Sequence, residues 1–140
     1  MIRIRLLGGG DCDVEHAETG THVRTSKSAA FGGTASSFSS TDLLAAALGS
    51  CIATDLEPVA ERNGVIPAAI RIDVEKTLSM SPKRIESIDV RVTLPTHTPD
   101  LVVTKLERAA EHCLVHRGLN PEVDVRIRFQ LESQAVQRRG

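Results

Sequence analysis

Two cysteines far apart in the chain are the first residues whose types could do chemistry. Cys51 lies in "LLAAALGSCIATDLEP" and Cys113 in "RAAEHCLVHRG". Thiolates are nucleophiles and metal ligands, and two thiols brought together can form a disulfide. A free cysteine in an apolar helical pattern is, however, more often a small buried residue. The elements that carry the two sulfurs therefore decide between the two roles.

The first cysteine falls on a predicted helix. Ser39 is a suitable N-cap with Asp42 three positions later, and Gly64 is a suitable residue just after the helix. The apolar stripe has helical spacing and comprises Leu44, Ala47, Leu48, Cys51 and Ile52. The first turns are apolar on nearly every side, so we expect that half of the helix to be buried all round. Pro58 should kink the helix or end it early.

The second cysteine falls on a second predicted helix, from Pro99 at the first helical position to Arg117 before Gly118. Its stripe comprises Val102, Leu106, Ala109, Ala110 and Cys113. Packing both helices on one sheet would bring the two inward-facing sulfurs together. The small neighbours of Cys51 would leave room there for a substrate or a partner sulfur.

Alternating apolar and polar residues predict the strands. The patterns begin near Ile2, Cys12, Thr21, Ile70, Ile88 and Val123. Each predicts an antiparallel strand with one buried face. The predicted order is β-β-β-α-β-β-α-β, which indicates an α+β fold of antiparallel sheets with two main helices. We expect a single domain over residues 1–140, with a Gly/Ser-rich loop over 26–40 and a frayed tail over 132–140.

Composition excludes several kinds of protein. The net charge of the 140 residues is −1 and there are three Phe with no Trp or Tyr, so neither a basic stripe nor stacking platforms for nucleic acid are expected. We expect no apolar run to reach the length of a membrane span. "MIRIRLLGGG" is typical of a strand rather than of a signal peptide, so we expect a cytoplasmic protein without membrane association. Three cysteines are too few for a disulfide scaffold.

The histidines and cysteines could also form a metal site. His112 and His116, with Cys12 and His16, supply ligand types, but no pair has C-x-x-C spacing, so we predict no metal. Cys12 is interpreted as a core residue. A reactive Cys51 would lie too deep in its helix to be activated by the helix dipole. Its thiolate would need a cation or hydrogen-bond donor from another part of the fold. Arg24, Lys27 and Arg84 are candidates because their side chains are positively charged.

Several motifs together resemble the OsmC/Ohr family of osmotically inducible and organic-hydroperoxide-resistance proteins. They are "FSSTDLLAAALGSC", "AERNGV" and "AAEHCLVHRGLNPEVDV", with "ETGTHVRTSKS" before them. The resemblance covers nearly the whole chain. It implies an intertwined homodimer and a thiol peroxidase that needs no cofactor besides its cysteine pair.

On this resemblance, Cys51 is the peroxidatic thiolate, which attacks the peroxide and becomes a sulfenic acid. Cys113 is then the resolving thiol, which condenses with it to a disulfide. An external dithiol, of the lipoyl type in part of the family, resets the pair. Asp42 and Arg24 are possible supporting residues. The expected substrate is an organic hydroperoxide, whose alkyl tail gains about 0.8 kcal/mol per buried CH₂ in an apolar pocket.

The sequence departs from the family pattern at several positions. Ser40 and Leu114 stand where the family often has proline, and Ser26 stands where it has aspartate. The early turn reads "ETG", so no activating arginine is carried over from the family. A rival interpretation is a non-catalytic protein that binds a lipid-like ligand in the same pocket between the helices.

Overall fold

The computed structural model describes residues 1–133, which form two compact units, Met1–Leu44 and the chain from Ala45 onward. The prediction of a single domain over 1–140 stays a prediction. Glu132, at the start of the predicted frayed tail, donates its backbone N–H to the carbonyl of Leu94 at 2.7 Å. Residues 134–140 of that tail lie outside the described residues.

The first unit contains a three-stranded antiparallel sheet. Its strands are β1 (Ile2–Gly8), β2 (Asp11–His16) and β3 (Thr21–Thr25), with β2 in the centre. The register pairs Ile4 with Val14 and Val14 with Val23, so residues of the same parity share a face as predicted. Gly20 closes the predicted turn after β2 with a positive φ of 68°.

Hydrogen bonds tie together the Gly/Ser-rich segment predicted as a loop over 26–40. The backbone N–H of Ser26 donates to the carbonyl of Phe38 at 2.9 Å, and the hydroxyls of Ser26 and Ser36 lie 2.9 Å apart. A short 3₁₀ turn covers Ala29–Phe31. The serines of this loop therefore bond its two sides to each other.

Helix α1 (Ser40–Arg62) begins at the predicted capping box. The N–H of Ser39 donates to the carboxylate of Asp42 at 2.7 Å, while the N–H of Asp42 donates to the hydroxyl of Ser39 at 3.1 Å. Gly64 follows the helix with a φ of 73°, as predicted. The helix continues past Pro58 to Arg62, so the alternative in which Pro58 ends it early is wrong.

Burial along α1 is one-sided. The buried residues are Ala45, Leu48, Gly49, Ile52, Leu56 and Ala60. The expectation that the first turns are buried all round is wrong for the single chain, because Ala46 and Ala47 are exposed. Gly49 allows close packing of α1 on a neighbouring strand: a Cβ at this position would lie 2.8 Å from Cγ2 of Val74.

By length and composition α1 is apolar enough to cross a membrane, since it has 23 residues and contains an 18-residue stretch with a mean hydropathy of 1.4. The expectation that no segment reaches this length is therefore wrong. The buried stripe of α1 belongs to the hydrophobic core of the second unit, together with strand residues such as Val90 and Val92. The core helix of a soluble protein can have the same length and composition.

The second unit contains a sheet of strands β4 (Arg71–Met80), β5 (Lys83–Leu94) and β6 (Asp124–Leu131), with β5 in the centre. β4 and β5 form an antiparallel pair, but β6 lies parallel to β5, so the expectation of wholly antiparallel sheets is wrong for this strand. A parallel neighbour needs a long crossover, which the helices between β5 and β6 supply. The α+β class and the order of the main elements are confirmed.

The predicted second helix is divided in two. Helix α2 (Asp100–Ala110) buries Val102, Leu106 and Ala110, and a separate five-residue helix, α3, covers Leu114–Gly118. Pro99 occupies the N-cap position of α2 and is not its first helical residue. Cys113 adopts a non-helical conformation with φ −55° and ψ 119° at the start of α3. The prediction of one continuous helix through Cys113 is therefore wrong.

Candidate functional site

Helix α1 presents Cys51 at the border of its buried stripe. Ile52, the next residue, is fully buried, whereas Cys51 is half-buried. Asp55 follows four residues later and is half-buried as well. Residues four apart lie on the same face of a helix, so the thiol and the carboxylate share one edge of α1. This edge is more accessible than the buried position predicted for Cys51.

The junction between α2 and α3 supplies Cys113. Its side chain is fully buried, with 0% of its surface exposed. As the N-cap of α3, its sulfur accepts a hydrogen bond from the backbone N–H of His116 at 3.4 Å. The break in the predicted helix therefore places the sulfur at a helix start, where backbone N–H groups point outward without intrahelical partners.

These elements bring three reactive atoms together. The sulfurs of Cys51 and Cys113 and a carboxylate oxygen of Asp55 all lie within 4.8 Å of one another. The sulfurs are free thiols and must approach to about 2 Å to form a disulfide. The structure therefore places two cysteines separated by more than sixty residues at one site, as expected if they act on each other.

The surroundings of the two thiols differ in their effect on proton affinity. Hydrogen bonds from the backbone N–H of Val115 and the thiol of Cys113 lower the pKa of Cys51, with a smaller contribution from the N–H of Leu114. Burial and the negative charge of Asp55 oppose this lowering. Burial, followed by the interaction with Cys51, raises the pKa of Cys113. Cys51 is therefore the thiol that ionises first, and Cys113 retains its proton.

Backbone amides thus contribute the donor that Cys51 was expected to need. Of the three side-chain cations proposed by type, Arg24 donates to the carboxylate of Asp11 at 2.6 Å and Arg84 lies 3.4 Å from Glu122. Lys27 packs its Cβ where a side chain at Gly10 would lie. The supporting role predicted for Arg24 stays a prediction.

Asp42, the other predicted supporting residue, has a clear structural role. Its carboxylate accepts hydrogen bonds from the backbone and the hydroxyl of Ser39 at 2.7 and 2.8 Å. These bonds are the capping interaction expected at a helix start. A further role for Asp42 in the thiol chemistry stays a prediction.

The metal-ligand types singled out in the sequence do not form a group. Within residues 1–133, the group with spacing suited to a metal is Cys51, Asp55 and Cys113, and it contains none of the histidines. Zinc accepts thiolate and carboxylate ligands, but three donors are one fewer than a closed structural site has. Cys12 is half-buried in β2, not a fully buried core residue.

Two components of this site were missed in the sequence. Asp55 was detectable, because its spacing of four from Cys51 places both on one face of a helix. The amides of Leu114 and Val115 could not be detected from the sequence. Their N–H groups are free to interact with Cys51 only because the predicted helix breaks before them. Leu114 stands where the family often has proline, and proline at that position would have no N–H to donate.

The fold and the site together define an α+β protein with a paired-thiol centre. The family model for the OsmC-like protein matches residues 33–128, and the chain belongs to this family. No curated protein sequence matches the chain significantly.

Solved structures support the same fold. A Psychrobacter arcticus protein, provisionally described as an osmotic stress induced and detoxification response protein, is 21% identical with a TM-score of 0.85, over 92% of this chain and 94% of its own. The organic hydroperoxide resistance protein OsmC of Legionella pneumophila is 17% identical, with a TM-score of 0.74 over 93% and 96%. OhrB of Bacillus subtilis is 19% identical, with a TM-score of 0.65 over 93% and 98%.

Proposed function

We propose that this protein is a thiol peroxidase that reduces organic hydroperoxides through Cys51 and Cys113. The observation that carries the proposal is the pair of free sulfurs within 4.8 Å, one half-buried and one fully buried. The lowered pKa of Cys51, caused mainly by the amide of Val115, favours the nucleophilic form of the accessible thiol. Structural relatives described as organic hydroperoxide resistance proteins support the same reaction class.

The first step uses the thiolate of Cys51 and consumes one hydroperoxide. The sulfur attacks the outer peroxide oxygen, the O–O bond breaks, and the product alcohol leaves after taking up a proton. Cys51 is then a sulfenic acid. The amides of Val115 and Leu114 stabilise the thiolate before attack.

The second step joins the two cysteines. The thiol of Cys113 loses its proton and attacks the sulfur of the sulfenic acid, which forms the S–S bond and releases water. An external dithiol then reduces the disulfide by thiol–disulfide exchange, and a lipoyl-type dithiol is the reductant we propose. This cycle requires a reducing compartment, which we propose to be the cytoplasm.

An exposed apolar side chain beside the sulfurs favours an organic substrate. Leu114 follows Cys113 directly and is 78% exposed, while its backbone N–H interacts with Cys51. An alkyl chain resting on such a surface gains about 0.8 kcal/mol per buried CH₂. Hydrogen peroxide has no alkyl group to gain it. We therefore expect cumene or fatty-acid hydroperoxides to react faster than hydrogen peroxide.

We also propose that the protein is a homodimer. Three apolar side chains on one face of β1, Ile2, Ile4 and Leu6, are 57%, 67% and 83% exposed in the single chain. The exposed side of the first turns of α1 adds further apolar surface. A second copy would remove this surface from water, and light scattering at micromolar concentration tests the assembly.

Substitution of Cys51 tests the catalytic assignment. Cys51→Ser should lose turnover of cumene hydroperoxide with a dithiol reductant, because serine is not ionised at neutral pH. Cys12→Ser is the matched control and should retain turnover. Undiminished turnover by Cys51→Ser would contradict the proposal. Unreactive thiols in the parent protein, with a lipid-like molecule retained in native mass spectrometry, would instead favour the binding-protein interpretation.

A further inference from the structure

The proton on Cys113 poses a chemical problem for the second step of the proposed reaction. Cys113 must attack as a thiolate, yet burial raises its pKa. None of its surface is exposed, so bulk water cannot collect the proton directly. Before oxidation its S–H points to Cys51, but a sulfenic acid at Cys51 is a much weaker acceptor than a thiolate. The proton therefore needs a base within the site.

Asp55 is the carboxylate in position to accept that proton. Its oxygen lies within 4.8 Å of both sulfurs, a separation that one rotamer change or one water can bridge. Its other notable feature is that Oδ2 is shielded from solvent and has no hydrogen-bond partner. A buried polar atom without a partner is costly, and a catalytic role is one reason for a protein to retain it.

The charge of Asp55 is also unsuited to the first step. A carboxylate beside Cys51 raises the pKa of that thiol, which works against formation of the attacking thiolate. The same charge assists the second step, in which a neutral thiol must release a proton. The hydrogen bond from the N–H of His116 to the sulfur of Cys113 then stabilises the thiolate that results.

We infer that Asp55 is the general base and acid of disulfide formation, an inference that rests on the proposed peroxidase function. Asp55 takes the proton from the thiol of Cys113. The resulting thiolate attacks the sulfur of the Cys51 sulfenic acid, so that the S–S bond forms and the S–O bond breaks. The departing hydroxide takes the proton back from Asp55 and leaves as water. The carboxylate is regenerated and no further oxidant is consumed.

Asp55→Asn tests the inference because it should affect the two steps in opposite directions. In a single turnover with cumene hydroperoxide, sulfenic acid formation at Cys51 should be as fast as in the parent or faster. Disulfide formation should slow by about 100-fold, since general acid–base catalysis typically contributes about 10²–10⁴-fold. Dimedone capture measures the first step, and mass spectrometry of the quenched disulfide measures the second.

Control variants separate this role from a structural one. Glu57→Gln removes a carboxylate from the exposed side of the same helix and should leave both steps at the parent rates. Asp55→Glu should restore part of the resolving rate. Since Oδ2 has no hydrogen bond to lose, Asp55→Asn should also unfold at the parent temperature.

A measurement on the parent protein keeps the inference testable if Asp55→Asn does not fold. In D₂O the resolving step should slow while sulfenic acid formation does not, because proton transfer limits only the former. Equal rates in both solvents would contradict the relay.

Other outcomes distinguish the failure of the relay from the failure of the peroxidase function. Absence of a sulfenic acid at Cys51 in the parent would overturn the proposed function itself. Sulfenic acid formation with equal resolving rates in the parent and Asp55→Asn would overturn only the role of Asp55. If His116→Gln slowed disulfide formation more than Asp55→Asn does, the imidazole of His116 would be the base instead of Asp55. One zinc ion per reduced chain, lost in Asp55→Asn, would show that the carboxylate serves a metal instead.

Discussion

Replacing Gly49 with alanine tests how closely α1 packs on strand β4. A Cβ at this position would lie 2.8 Å from Cγ2 of Val74 and 3.8 Å from Cγ2 of Ile72. The first distance is shorter than real Cβ contacts. Either Val74 must move or α1 must rise from β4. Cys51 lies two residues further along α1, so a displaced helix also moves its sulfur.

Two opposing effects set the magnitude for Gly49→Ala. Alanine stabilises a helix by about 1 kcal/mol relative to glycine. Overpacking a core contact, in contrast, destabilises the protein by about 1–3 kcal/mol. We therefore expect the free energy of unfolding to fall by up to about 2 kcal/mol. At Gly118 a Cβ would meet no atom within 4 Å, so Gly118→Ala should not lower the free energy of unfolding.

Urea unfolding of a double-mutant cycle measures the contact directly. In the Val74→Ala background the clashing methyl is absent, so Gly49→Ala should no longer destabilise the protein. The expected coupling is about 0.5–3 kcal/mol, as found for residues in contact. Stabilisation by about 1 kcal/mol in both backgrounds would show that α1 does not approach β4 this closely, and the placement of Cys51 would be wrong.

Two further substitutions test the donor at Cys51 and the start of α1. Alkylation by iodoacetamide follows the thiolate, so its rate rises with pH and levels off above the pKa, and this rise should occur at lower pH for Cys51 than for cysteine in an unfolded peptide. Leu114→Pro removes one N–H donor and should move the rise to higher pH, whereas Leu114→Ala should not; superimposable profiles would contradict the amide assignment. Proline fits there because it is favoured at the first helical position and tolerates the ψ of 119° at Cys113. Ser39→Ala should lower the free energy of unfolding by about 1 kcal/mol through loss of the helix cap, and an unchanged urea midpoint would refute the capping role.

The sequence was sufficient to predict most elements of the fold. Alternation at Ile2, Ile4 and Leu6 has the period of a strand, and spacing of three and four around Leu48 and Ile52 has the period of a helix. These periods follow from backbone geometry alone. The fold class, the element order and the cap at Ser39 could therefore be predicted without knowledge of tertiary contacts.

Features that depend on tertiary packing were not predictable in this way. Apolar periodicity continues through Cys113, but the chain leaves the helix after Ala110 and starts a new one at Leu114. The alternating pattern of β6 also does not show whether the strand runs parallel or antiparallel to its neighbour, because both kinds of strand can have the same period.

The same limitation applies to the site. Both sulfurs were selected from the sequence, and the structure places them together. Their different proton affinities arise from the burial of Cys113 and from the amide of Val115. These are properties of the folded chain and not of any motif. Asp55 was overlooked because an acidic residue on a helix is usually a solvent-exposed one.

The most direct test of the paired-thiol mechanism is peptide mapping under non-reducing conditions after one equivalent of cumene hydroperoxide. We expect a cross-linked peptide that joins Cys51 to Cys113. In Cys113→Ser we expect a sulfenic acid at Cys51 that dimedone captures. Oxidation that leaves Cys51 unmodified, or that joins it to Cys12 instead of Cys113, would contradict the mechanism.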